Sequence, residues 1–150
     1  MVTYCTNTLS QNDIVEWLQA FRSRQPDQGQ KYFLFGHNAF EPDSPNPVRA
    51  TANLGNRNVQ FIFPCISAIF PAQANARSDI DNTVAYSADI NGIGVPQNAI
   101  MRLDANAGGT DRFVDGYWVC VSNLSDGDVI RFRGKGPRGF TTEGVWTVRR

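Results

Sequence analysis

Carboxylates spaced two apart, Asp79 with Asp81 and Asp126 with Asp128, are the first residues in this chain that could do chemistry. Such a pair hydrolyses a glycoside only when its members face each other across a cleft, at about 5 Å or about 6.5–9.5 Å, and spacing along the chain does not establish that. Turn-forming Asp accounts for both pairs. Asp79-Ile80-Asp81-Asn82 could also offer oxygens to a calcium ion, but the longer loop closed by a Glu is missing. His37 is the single histidine, so any triad or metal cluster has to be built on that one ring. Cys5, Cys65 and Cys120 lie far apart, with neither a CxxC pattern nor the even count of a disulfide framework, and are expected as buried free thiols. Zinc, which needs several His or Cys ligands, is disfavoured by their short supply. No Gly-x-Ser-x-Gly elbow occurs, and Asn91-Gly92-Ile93-Gly94-Val95-Pro96 places proline where a phosphate-binding helix would start. The expectation is therefore no catalytic, cofactor-binding or metal residues, and not an enzyme. His37 and two acids lining one closed, solvent-filled hollow would overturn it.

The elements that would position any site begin with one helix. Ser10, with Asp13 three residues on, suits an N-terminus, and Ile14, Trp17, Leu18 and Phe21 fall at i, i+3, i+4 and i+7. Pro26 ends the run, which predicts a helix over about 11–25. Its anchors Trp17 and Phe21 are expected to dock on their own domain, with insertion into a neighbouring subunit as the alternative. From Lys31 onward the period changes to two, with strands expected at 31–36, 58–63, 83–90, 99–103, 111–122, 129–133 and 144–149. Tyr117 to Val121 is apolar on both alternating faces, as in a central strand covered on both sides. In 129–133, Ile130 and Phe132 face one way and Arg131 and Arg133 the other. Asn91-Gly92, Gly108-Gly109, Asp115-Gly116, Asp126-Gly127 and Gly134-Lys135-Gly136-Pro137 read as turns between the runs. The pattern predicts a mainly β fold, an antiparallel β-sandwich or small β-barrel with one N-terminal amphipathic helix. All of it forms a single domain, 1–150, with the β core at 58–150. Connections at 37–57 and 64–82 are too long for hairpins. The first, with Pro42, Pro45 and Pro47, reads as a Pro/Asn-rich arm lying on a surface, with Phe40 and Leu54 to bury.

Charge adds a direction. The chain balances 14 Lys+Arg against 14 Asp+Glu, yet residues 127–150 hold six basic groups and two acidic ones, so the remainder is acidic by the same margin. A basic end of one copy meeting the acidic surface of the next suits ordered assembly. Total neutrality and the lack of a recognised motif disfavour nucleic acid. Arginine outnumbers lysine twelve to two, and its planar fork is the cation preferred at protein interfaces. No run of about 18 apolar residues exists to cross a membrane, and the start lacks the basic and apolar regions of a signal peptide. Thirteen Asn together with Tyr117, Trp118 and Trp146 leave a carbohydrate-binding sandwich as the alternative, although these aromatics sit inside apolar alternation and read as core.

Two segments carry a resemblance. Residues 14–47, a helix leading through Gly29 into Tyr32-Phe33-Leu34-Phe35-Gly36 and then Phe40-Glu41-Pro42-Asp43-Ser44-Pro45-Asn46-Pro47, resemble the opening of baseplate-wedge proteins from contractile-tailed phages. Residues 103–133, with Leu103-Asp104-Ala105, Asp115-Gly116-Tyr117-Trp118-Val119 and a Gly-bearing turn before another strand, are similar to a β module of phage virion proteins. The resemblance implies a non-enzymatic virion component repeated around a capsid or tail: a capsid decoration, neck, tail or baseplate subunit. Such a protein is made in the host cytoplasm, and its partners are other copies of itself and other virion proteins. A surface glycan is the partner under the lectin-like alternative. Phe40, Leu54, Arg131, Arg133, Arg138 and Arg149 are the candidate interface residues.

Overall fold

The structure, a computed structural model, describes residues 2–41 and 43–150; Met1 and Pro42, one of the arm's prolines, lie outside the described residues. In chain order the elements are β1 (Thr3–Tyr4), α1 (Gln11–Ser23), β2 (Lys31–Phe33), β3 (Val48–Asn53), β4 (Gln60–Phe70), α2 (Gln73–Asp81) and β5 (Ala85–Ile90). There follow β6 (Ile93–Gly94), β7 (Met101–Asn106), β8 (Phe113–Ser122), β9 (Val129–Lys135) and β10 (Thr141–Arg149). The first sheet runs β1-β8-β4-β2, with β7 also paired to β8, and the second runs β3-β10-β9-β5-β6. The two stack as an open sandwich and do not close into a barrel. Pairing is antiparallel inside both sheets, while the edge strands β2 and β3 join in parallel.

Alternation decides what lies between the sheets. Phe61 and Phe63 of β4, Val119 and Val121 of β8, Ile130 and Phe132 of β9 and Trp146 and Val148 of β10 share one core, in which Phe63 stacks on Phe132 at 4.9 Å. The opposite face of the first sheet presents Phe33, Ile62, Val114, Trp118 and Cys120 to α1. Strands β4 and β8 are thus apolar on both sides, as their sequence requires. Helix α1 begins where expected: the Ser10 N–H donates to Asp13 Oδ2 at 2.8 Å, and Lys31 Nζ donates to Asp13 Oδ1 at 2.8 Å. Such a cap contributes about 1 kcal/mol, whereas burying a side chain such as Ile14 or Leu18 contributes about 1.5–3 kcal/mol each, so packing holds the helix in place. Trp17 lies edge-on to Trp118 at 5.1 Å and donates its indole N–H to the Leu34 carbonyl at 2.9 Å. The helix docks on its own domain.

Strand β4 runs through Pro64, beyond the expected end at Phe63, because a bulge accommodates the proline. The ladder pairs Pro64 with Trp118 and Ile66 with Tyr117, passing over Cys65. The bulge presses on both neighbouring strands. A Cβ on Gly116 would lie 2.6 Å from the Ile66 carbonyl oxygen, and one on Gly134 would lie 2.5 Å from Ile66 Cβ and 2.9 Å from the Cys65 carbonyl oxygen. Asp115-Gly116 and Gly134-Lys135 are therefore strand residues, not turns: glycine is there for close approach of backbone.

Three further expectations are corrected. The 64–82 connection is the rest of β4 followed by a second helix, α2, whose Ala76 and Ile80 are buried. The second half of the 37–57 arm is β3, paired in register with β10 within the chain's own sheet. Cys5 and Cys120 form a disulfide across a Cα separation of 4.8 Å, with a sequence separation of 115, so only Cys65 is a buried free thiol. Antiparallel pairing of β1 with β8 brings those two cysteines together, and spacing along the chain carries no trace of it.

Candidate functional site

The outer face of the second sheet gathers charge. Strand β9 points Arg131, Arg133 and Lys135 outward, because Ile130, Phe132 and Gly134 occupy the inward positions. Cross-strand register extends the set: Arg49 of β3, Val145 of β10, Arg131 of β9 and Asp89 of β5 form one row. Glu143, Arg133 and Ser87 form another, and Arg149 stands beside Asn53. Five cations thus share one face with two acids. Among the described residues Arg49, Arg131, Arg133, Lys135 and Arg149 make no ion pair, no side-chain hydrogen bond to the protein and no stacking contact with an aromatic ring. All nine remaining cations are engaged. Lys31, Arg24, Arg57, Arg77, Arg102 and Arg138 pair with carboxylates. Arg22 and Arg150 donate to backbone carbonyls, and Arg112 stacks on Phe113 at 4.9 Å.

Spacing makes the free set costly. Alternate residues of a strand stand about 6.8 Å apart, inside the Debye length of about 8 Å at physiological salt, so Arg131, Arg133 and Lys135 repel one another. Asp89 and Glu143 lie in register with Arg131 and Arg133 without reaching ion-pair distance. An anionic surface laid on this face relieves the repulsion.

The other candidates divide. Leu54 is 3% exposed and belongs to the core between the sheets, which corrects its assignment as an interface residue: its neighbour β3 is part of the sheet, so Leu54 turns inward. Phe40 is 68% exposed. Arg138 sits away from the cationic face, paired with Asp79 at 3.3 Å and lying over Phe140 at 5.5 Å. All three tryptophans are buried, so the platform a lectin-like reading requires of Trp118 and Trp146 faces the core.

A cavity of about 470 Å³ lies beneath the first half of the arm, between the end of α1, the 64–70 stretch of β4 with Pro71 after it, and the turn before β10. His37, Asp79 and Asp111 are all among its lining residues, so one histidine and two acids do share a hollow. It differs from a closed, water-filled one: exposed Phe40 and Phe140 stand in its wall, and most of its lining is apolar. His37 Nδ1 is 3.2 Å from the Pro45 carbonyl oxygen, Asp79 is engaged by Arg138, and the Asp111 carbonyl accepts from Arg22. Burial pushes the thiol of Cys65, also in the lining, up to about 12.

The carboxylate pairs are structural. Asp79 and Asp81 lie in the last turn of α2, not in a loop turn, and Asp81 pairs with Arg102. Asp128 accepts the Ser125 N–H at 2.8 Å, a turn contact, and Asp126 accepts the Arg150 N–H at 2.9 Å, which ties that turn to the residue after β10. The charged cluster that sequence reasoning missed is Arg102 with the buried Asp115, joined at 2.7 Å. Bonding to Asp115 raises the Arg102 pKa above its ordinary value. Alternation on β9 announced Arg131 and Arg133; Lys135 was read as part of a turn, and Arg49 had no signal, because β3 is hidden in a proline-bounded loop. Compared with known protein families, curated proteins and solved structures, the chain matches none.

Proposed function

We propose that this chain is a non-enzymatic assembly protein, a virion component of a tailed phage, that grips neighbouring molecules through the cationic outer face of its second sheet. The observation that carries the reading is the sorting of its cations. Those engaged inside the fold are scattered, whereas the unpartnered ones share a single solvent-facing sheet surface. Because the chain is neutral as a whole, the excess of positive charge on this face is matched by acid elsewhere on the molecule, which makes a second copy a complementary partner. Repetition on a symmetric lattice turns modest single contacts into firm attachment. The resemblance of residues 14–47 and 103–133 to phage virion proteins supports a capsid, neck, tail or baseplate setting.

Sedimentation velocity tests it. The wild-type chain is expected to assemble at low salt and to dissociate as salt rises, since the contact is between charges. Arg131→Glu with Arg133→Glu is expected to stay monomeric at every salt concentration while keeping the wild-type near-UV circular dichroism. Unchanged assembly of that variant defeats the assignment. Mass spectrometry of purified particles, with this chain absent from them, defeats the virion setting.

A further inference from the structure

We propose that the cavity beneath the arm is a binding site for a small, uncharged molecule with an aromatic ring. This is independent of the cationic face. The volume, about 470 Å³, falls within the range of small-molecule pockets, about 300–1,000 Å³. Rings converge on it from separate parts of the chain: Trp17 and Phe21 from α1, Phe40 from the arm, Phe70 from β4, Phe132 from β9 and Phe140 from the turn before β10. At the mouth Phe40 meets Phe70 at 6.4 Å and 85°, and meets Phe140 at 6.2 Å and 48°. These are edge-on and tilted arrangements of the kind a further ring extends, since aromatic rings prefer offset or edge-to-face contact.

The polar groups choose the chemistry of the rest of the ligand. Ser67 and Thr142 line the cavity, are half-buried, and among the described residues their hydroxyls have no hydrogen-bond partner in the protein. Each can donate to or accept from one polar group on the ligand. The charged lining sums to little: Asp79 is held by Arg138, exposed Arg22 and Asp111 bring one charge of each sign, and burial keeps the Cys65 thiol protonated. An ionic ligand would bring an unbalanced charge against rings in a mostly apolar wall, at a desolvation cost that a neutral ligand avoids. An aromatic body with a hydroxyl or an aryl amine, neutral at physiological pH, is the class that fits.

The test uses the intact chain and N-phenyl-1-naphthylamine, an uncharged aromatic amine whose fluorescence rises in an apolar site. Saturable binding at one probe per chain is expected. Phe40→Ala should weaken it by about tenfold, the effect of losing one aromatic contact, and Ser67→Leu, which fills the cavity, should abolish it. Anionic 1-anilinonaphthalene-8-sulfonate should bind more weakly than the neutral probe. Absence of saturable binding overturns the proposal. So does binding unchanged in both variants, or tighter binding of the anion. Should Ser67→Leu fail to fold, amide shifts decide: on adding probe to the wild type they must cluster at 36–40 and 64–70, and shifts confined elsewhere refute the site.

Discussion

Replacing Arg102 by methionine removes the one cation that compensates a carboxylate buried in the first sheet. Asp115 has a side chain only 2% exposed, and Arg102 reaches it with Nη2 at 2.7 Å and Nε at 3.4 Å. The alternative support is thin, a single backbone donor at 2.8 Å from the Gly116 N–H. Across the ladder Asp115 stands opposite Asp104, itself held by Arg77 at 2.9 Å, so without Arg102 the orphaned charge also faces another acid. Breaking a buried pair by deleting one partner costs about 3–5 kcal/mol. The guanidinium is 34% exposed and the Gly116 donor remains, which places the loss near the lower end, about 3 kcal/mol. With a urea slope of about 2 kcal/mol/M, the unfolding midpoint should fall by about 1.5 M. Changing both partners, Arg102→Met with Asp115→Leu, should recover most of the loss, since an apolar pair of similar size leaves nothing unpaired. Urea titrations of the wild type and both variants at neutral pH measure this. A single variant within about 1 kcal/mol of wild type, or a double variant no more stable than the single one, would refute the view that Asp115 depends on Arg102.

Three more expectations follow from the packing and the ion pairs. Gly134→Ala forces a methyl against Ile66 Cβ and the Cys65 carbonyl and should cost about 1–3 kcal/mol, and in a double-mutant cycle with Ile66→Gly, which removes that Cβ, the two losses should be less than additive; additive losses in chemical denaturation would show that the bulge does not press there. Thiol titration of the unreduced chain should find one reactive thiol in denaturant and none in the folded state, where Cys65 is buried; three thiols would refute the Cys5–Cys120 bond, whose removal should cost about 2–5 kcal/mol. Bonds from Arg57 hold Asp27 below the usual carboxylate range, and Asp13 is held below it because bonds from Lys31 and Ser10 outweigh the upward push of burial. Both carboxylates therefore stabilise the fold above about pH 4 and lose that contribution as pH falls through their lowered values. Thermal melts of the Asp13→Asn and Asp27→Asn double variant should show a smaller decline below about pH 4 than wild type, and parallel curves would refute the linkage.

Period-two alternation located most strands because a half-buried strand writes its two faces directly into adjacent residues. Arg131 and Arg133 could be read as solvent-facing from Ile130 and Phe132 alone. The same rule placed Trp118 and Trp146 in the core, and spacing at three and four residues placed α1. Local rules failed where a residue's role is set by a distant neighbour. Asp115-Gly116 looks like a turn, yet the acid is paired with Arg102 and the glycine makes room for Ile66. Val48–Asn53 has little local strand character and becomes a strand because the exposed edge of β10 offers it a row of backbone partners. Pro64 suggested a break, and a bulge absorbed it.

Residue order alone therefore determined the mainly β composition, the N-terminal helix, the two apolar faces of β8, and the outward Arg131 and Arg133 of β9, because each depends on contacts between a residue and its neighbours in the chain. Only the tertiary structure decided the Cys5–Cys120 bond, the Arg102–Asp115 pair, the addition of Arg49 and Arg149 to one charged face and the ring-lined cavity. Each of these joins segments from distant parts of the chain, and the separation between such segments is fixed by how the sheets and helices pack, a quantity that no local pattern encodes.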